Sequence, residues 1–316
     1  MSRTGRFLMG IYVFEMGGLR VAATAVSEGM PERFGCLLEG SVCGGAVSDG
    51  GNVMPDKDGL RAVRDESVGA PPADFFLDIV FEDAVEGGGF RARATGAGVF
   101  EFGMKGVWCR MDLERGRGEL RAVRDESAVE YSMKLVFGAL LARRGGAIMH
   151  AAAVARDGKG RIFCGPPGAG KTTVAGIASG GRGAGAARTL NDELAAAVAG
   201  GENGAARVYA LLEWADGGTM RDAGAAGPGG VPLAAVYVLS HAGAGEATTF
   251  ERLSGAEAAG AVFSNMRFAL PAPEAIRAAM EAADVLRRSV AVSRMRFSLA
   301  DAPRFWEVID EFERKG

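Results

Sequence analysis

Two textures of hydrophobic and polar positions follow one another along the chain. Up to residue 127, apolar residues come in short runs, as in Phe75–Phe81, Gly98–Phe102 and Val107–Leu113. These runs are rich in aromatic and β-branched residues and are bounded by Gly, Asp or Asn, which is a strand pattern. Helical spacing is hard to find there, and the stretch Gly44–Gly59 reads as loop. At Ala128 the pattern changes. Val129, Met133, Val136, Phe137, Leu140 and Leu141 recur at helical spacing, closed by Arg143-Arg144-Gly145-Gly146. Strands Ala147–Ala155 and Arg161–Cys164 are expected next, around a turn at Arg156–Lys159, then a helix after Lys171 and a loose glycine-rich link, Gly180–Gly185. Further strands fall at Arg188–Asp192, Leu194–Val198, Arg207–Leu212, Leu233–Leu239 and Val290–Leu299. Helices fall at Ser254–Phe268, Pro273–Arg288 and Pro303–Arg314, the first opening on Ser254 with Glu257 three residues later, a capping box. Alternating strands and helices predict an α/β domain over residues 128–316, behind a smaller β-rich region over residues 1–127.

Composition narrows the reading. The chain has 316 residues, enough for two domains, and 48% hydrophobic against 24% charged residues allows a full core. Glycine, at 49 residues, is about twice the usual ~7%, which signals many tight turns. The formal net charge is −3 and basic and acidic residues alternate, so no nucleic-acid partner is expected. Phe7–Phe14 follows Arg3 and Arg6 as a signal peptide would, but it is short, is followed by Glu15 and Arg20, and lacks a cleavage site. No stretch approaches the ~18 apolar residues of a membrane helix. A cytoplasmic protein with no membrane partner is the expectation. Four cysteines (Cys36, Cys43, Cys109, Cys164) and two histidines suit neither a disulfide framework nor zinc, and Cys164 reads as buried packing. The octapeptide LRAVRDES occurs at Leu60–Ser67 and again at Leu120–Ser127. With unlike flanks it is a local duplication without functional weight.

The chemistry concentrates at Gly165-Pro166-Pro167-Gly168-Ala169-Gly170-Lys171-Thr172, which matches G-x-x-x-x-G-K-[ST] at every position. A strand precedes it and a helix follows, as a phosphate-binding loop requires. Glycines let backbone N–H groups turn inward around phosphates, and the helix start adds free N–H groups and a positive dipole end. Lys171 would meet the phosphates, Thr172 would offer a hydroxyl to Mg²⁺, and Thr173 continues the loop into the helix. The expected ligands are a nucleoside triphosphate, ATP, and Mg²⁺. Such a site also needs carboxylates, and Asn191-Asp192-Glu193 supplies an adjacent pair near a strand end. Spacing alone does not say which carboxylate does which task.

His150, the strand after it, the GPPGAGKTT loop and Leu190-Asn191-Asp192-Glu193 together resemble the catalytic domain of HPr kinase/phosphorylase and its relatives. The resemblance runs in outline over Glu130–Leu299 and is specific over His150–Glu193. It implies a P-loop, HPr-kinase-like fold and ATP- and Mg²⁺-dependent phosphoryl transfer to a hydroxyl, with serine of a protein or peptide as acceptor. By the same resemblance Asp192 is the general base, Glu193 a Mg²⁺ ligand and His150 a polar group near the transferring phosphate. The chain departs from HPr kinases in Thr172-Thr173 after the loop lysine, in Glu193 as second acidic residue, in the Gly180–Gly185 spacer and in lacking the later arginine signature. Its leader is closer to the β-rich leader of relatives linked to peptide-modification gene clusters. A nucleotide-binding regulatory or scaffold protein with little catalysis, and a small-molecule kinase, stay open as alternatives, as does a homo-oligomer. His241 reads as a surface residue, and Arg221 and Arg252 as solvated arginines.

Overall fold

The computed structural model describes residues 9–16, 18–26, 73–180, 187–200, 205–210, 230–243 and 245–315. Gly44–Gly59, the first LRAVRDES copy, Cys36, Cys43, Arg221 and residues 181–185 of the glycine-rich link lie outside them. The chain divides into two compact units, the main boundary falling between Met133 and Lys134, with Met16–Gly18 assigned to the second.

The first unit carries β1 (Met9–Met16), β2 (Leu19–Val26), β3 (Phe75–Phe81), β4 (Arg91–Gly96), β5 (Val99–Met104), β6 (Val107–Asp112) and β7 (Arg117–Ala122). They form one sheet in the order β1-β2-β3-β7-β6-β5-β4. The run considered as the start of a signal peptide falls largely on β1. Period-2 alternation sends Phe75, Leu77 and Ile79 to a buried face with Val21, Ala23, Phe102, Cys109 and Leu120. The opposite face carries exposed Phe76 and Val80 and the Arg93–Glu101 ion pair. The second LRAVRDES copy is a strand-to-helix junction. Leu120–Ala122 ends β7, and the Asp125 carboxylate accepts the Ala128 N–H at 3.0 Å, capping α1 (Glu126–Arg143).

The second unit is built on β8 (Gly146–Arg156), which is apolar along almost its whole length because both of its faces are covered. A two-residue turn at Asp157-Gly158, both at positive φ, returns the chain as β9 (Lys159–Cys164). Helix α2 (Lys171–Gly180) follows, then β10 (Arg188–Asn191), β11 (Leu194–Val198), β12 (Arg207–Ala210), β13 (Val231–His241) and β14 (Thr249–Arg252). The chain ends with α3 (Gly255–Ser264), β15 (Met266–Arg267), α4 (Pro273–Ser289), β16 (Ala291–Phe297), a 3₁₀ turn at Leu299–Arg304 and α5 (Phe305–Lys315).

Strand pairing closes on itself through β8, β11, β12, β13 and β9, with β13 parallel to β9 and to β16. Closure brings β12 so near β9 that a Cβ at Gly160 would lie 2.2 Å from Val208 Cγ1, so only glycine fits there. One face packs Ala147, Met149, Ala151 and Ala153 of β8 with Val262 of α3 and Leu286 of α4. The other packs Ala152 and Val154 with Val174 and Ala178 of α2 and Phe305, Trp306 and Ile309 of α5. The unit is mixed α/β, with the sheet between helix pairs.

Two sequence expectations fail at α3. Ser254 makes no side-chain cap bond, and the Glu257 carboxylate instead accepts from Arg294 Nη2 at 2.8 Å, so the capping box does not form. The helix also ends at Ser264 and does not continue to Phe268. The Asn265 carbonyl accepts the His150 N–H at 2.8 Å, and β15 adds to β8, so strand pairing overrides helical propensity. The last helix begins at Phe305 because Leu299–Arg304 winds as a 3₁₀ turn.

Candidate functional site

The site grows from the point where β9 leaves β8. Cys164 still pairs with Ala151, and Gly165 then turns the chain away. Gly165, Gly168 and Gly170 have φ of +149°, +80° and +92°, conformations that L-residues with a Cβ rarely adopt. A Cβ at Gly165 would also lie 2.9 Å from the Leu239 carbonyl oxygen. Within the loop the Ala169 N–H donates to the Pro166 carbonyl at 3.1 Å, and the Ala169 side chain is buried among Phe163 and Val174. Helix α2 starts at Lys171 with no acidic residue in its first turn, and the N–H groups of that turn have no partner within the helix.

Lys171 is buried apart from 8% of its surface, and its Nζ donates to the carbonyls of Gly165 at 3.0 Å and Pro166 at 3.2 Å. Burial, with Arg267 nearby, holds its pKa below the usual lysine value. The ammonium is thus held over the loop by neutral acceptors alone. His241, at the end of β13, donates from Nε2 to the Gly168 carbonyl at 2.7 Å. It is exposed, as a surface residue should be, yet it touches the loop. Its nearness follows from the parallel pairing of β13 with β9, in which Val238 lies beside Cys164.

Asp192 and Glu193 occupy the break between β10 and β11, two strands that lie along the same side of β8. Asn191 shapes the break, its Oδ1 accepting the N–H groups of Glu193 at 2.8 Å and Leu194 at 2.7 Å. The Glu193 carbonyl accepts the Ala151 N–H at 2.9 Å and the ring of His150 through Nδ1 at 3.1 Å. A carbonyl only accepts, so Nδ1 carries the proton and Nε2 of the neutral ring keeps its lone pair. Burial, followed by the charges of Lys171 and Arg267, holds the His150 pKa below its usual value. The free protein is therefore expected to show an imidazole titration by NMR with its midpoint below about 6.5. An anion over Lys171 would offset the two nearby positive charges and move that midpoint upward.

An open cleft of about 490 Å³ joins these groups. It is lined by His150 from β8, by Asp192 and Glu193 from the break, and by Pro167, Gly168, Gly170, Lys171, Thr172 and Thr173 from the loop and α2. Gly165 and Ala169 are buried beneath the loop, and Pro166 is exposed without lining the cleft. Among the described residues no group of three His, Cys, Asp or Glu side chains could hold a metal ion unaided. Thr172 and Glu193 both face the cleft, where a divalent ion would need oxygens from its ligand to complete its shell. Cys164 is fully buried, and burial pushes its thiol up to about 12, so it takes no part as a nucleophile. Arg252 lies away from the cleft, over the Phe312 ring at 5.1 Å. Sequence reasoning missed the contact of His241 with the loop and the approach of Arg267, which depends on β15 pairing beside His150.

Among the described residues no helix is long and apolar enough to cross a membrane. The family model for ScmC, the SynChlorMet cassette protein, matches residues 119–313, well over half of the chain and all of β8 to β16. A comparison with curated proteins gave no match. The chain belongs to the ScmC family.

Proposed function

We propose that this member of the ScmC family is an ATP- and Mg²⁺-dependent kinase of the HPr-kinase-like P-loop type, transferring the γ-phosphoryl group to a hydroxyl, serine of a protein or peptide. The observation that carries this reading is the cleft itself. Lys171 and the open first turn of α2, a cation and N–H donors, line the same cleft as the carboxylate residues Asp192 and Glu193.

The residues fit a nucleotide's phosphates. Gly168 and Gly170 keep positive φ, and nothing lies within 4 Å of a Cβ at Gly168, so backbone N–H groups border open space there. Lys171 would exchange its loop carbonyls for phosphate oxygens, a charge-assisted bond in place of a neutral one. Thr172 and Glu193 would hold Mg²⁺, which supplies charge neutralisation on the phosphates when bound. In the transfer, Asp192 takes the acceptor's proton as the hydroxyl oxygen bonds to the γ-phosphorus, and the bond from phosphorus to the bridging oxygen breaks to release ADP. His150 Nε2 lends a polar partner near the moving group. Catalysis rests on position and charge.

Calorimetric titration of ATP is the direct test of the binding half of this reading. Wild type is expected to bind ATP more tightly with Mg²⁺ than without it. Lys171→Ala should weaken binding by about ten- to a hundredfold, the worth of one hydrogen bond between charged groups. ATP binding that ignores both Mg²⁺ and Lys171 would remove the reading.

A further inference from the structure

A second cavity, of about 320 Å³, lies in the same unit beneath the last turn of α5. It exists because the sheet is lined there by small side chains. Ala235 and Ala291 face each other across β13 and β16, and Ser293 is the next residue on that face of β16. Ser293 sits between Tyr237 on β13 and Arg252 on β14, so the three side chains form one rung on the face that α5 covers. Tyr237 is fully buried and donates to the Glu313 carboxylate at 2.8 Å. Arg161 takes the same carboxylate in a two-pronged bond, at 2.8 and 2.7 Å, which neutralises it.

The remaining polar groups of the cavity are Lys159, Arg252 and Ser293. Lys159 and Arg252 both line it and are exposed, and the charge of Lys159 acts on the Glu313 carboxylate. Arg252 lies over the Phe312 ring. Ser293 is 1% exposed, and it lines the cavity beside Arg252. Two exposed cations and one hydroxyl thus converge on a space walled by Leu233, Phe312 and alanines. We infer that this cavity is a binding site for a small organic anion, its phosphate or carboxylate head between Lys159, Arg252 and the Ser293 hydroxyl and its apolar body against Phe312. The site shares no lining residue with the P-loop cleft and does not depend on the kinase reading.

Titration calorimetry on the full chain with phenyl phosphate, and with benzyl alcohol as a neutral comparator, tests the assignment. Wild type is expected to bind phenyl phosphate and not benzyl alcohol, and Lys171→Ala to bind it equally well. The double variant Lys159→Ala, Arg252→Ala should weaken binding by about tenfold or more, as loss of charge-assisted bonds requires. Both side chains are exposed, so the variant keeps the core intact. Ser293→Ala should weaken binding further without changing the shape of the cavity. Retained binding in the double variant, loss of binding in Lys171→Ala, or no binding by wild type would each overturn the inference. The first two would assign the phosphate to the P-loop or elsewhere.

Discussion

Asp192→Asn is expected to bind ATP with nearly wild-type affinity and to lose phosphoryl transfer by about 10²- to 10⁴-fold, the usual contribution of a positioned general base. Asn keeps the shape of the residue, and the break that holds it is secured from outside by Asn191 Oδ1 and the Glu193 carbonyl. The substitution therefore removes proton acceptance without moving the wall of the cleft. On the proposed reading nucleotide binding rests on the loop and Lys171, and it should change by no more than about threefold, within the spread of neutral surface changes. Single-turnover transfer alongside ATP calorimetry separates the two quantities. A variant that transfers at full rate would take the base role from Asp192, and one that loses ATP affinity with transfer would make Asp192 part of the binding wall.

Glu313→Ala is expected to produce the largest loss of stability. Arg161 is buried, with its side chain 7% exposed, and Glu313 is its bidentate partner. Arg161 and Arg156 also stack on Trp306, at 5.2 and 4.5 Å, and Arg156 bonds to Asp310. The same tryptophan donates to the Ala178 carbonyl of the loop helix at 2.8 Å, so the pair anchors α5 against α2. Removing the carboxylate leaves a buried guanidinium without its counterion, a loss of about 3 kcal/mol at neutral pH. The apparent Tm should fall by roughly 6–12 °C. Glu313→Gln, which keeps an acceptor, should lose less.

The pH dependence of that pair has a definite sign. Burial raises the Glu313 pKa, the Arg161 and Tyr237 bonds lower it more, and the net value lies below the ordinary carboxylate range. A depressed folded pKa stabilises the fold above the unfolded value, and the contribution disappears as pH falls through the folded value. The stability gap between wild type and Glu313→Gln should thus be full at pH 7 and shrink below about pH 4. A gap that widens in acid would contradict the pairing.

Local patterns in the chain announce much of this architecture. The strands around Asp157-Gly158, the loop, α4 with Pro273 at its start and the Asn191–Glu193 break are all legible, because each depends on neighbours in sequence. What local patterns miss depends on distant pairing. Arg117–Ala122 carries three charges in six residues and hardly reads as a strand, yet it lies between β3 and β6 and buries Leu120. His241 reads as surface, and only the parallel pairing of β13 with β9 brings it to Gly168. Arg267 reads as the end of a helix, and it reaches the neighbourhood of Lys171 because β15 takes the place beside β8 that β9 vacates. The cavity under α5 has no local signature, since its walls come from β9, β13, β14, β16 and α5.

Transfer of label from γ-labelled ATP is the most direct test of the central claim. Purified protein would be incubated with Mg²⁺ and a lysate of the source organism, with Lys171→Ala and Asp192→Asn in parallel. The account predicts a labelled protein or peptide, carrying acid-stable phosphate on serine, that both variants fail to produce. Tight ATP binding that depends on Lys171, with no label passing to any fraction, would contradict it and make the protein a nucleotide-binding regulator.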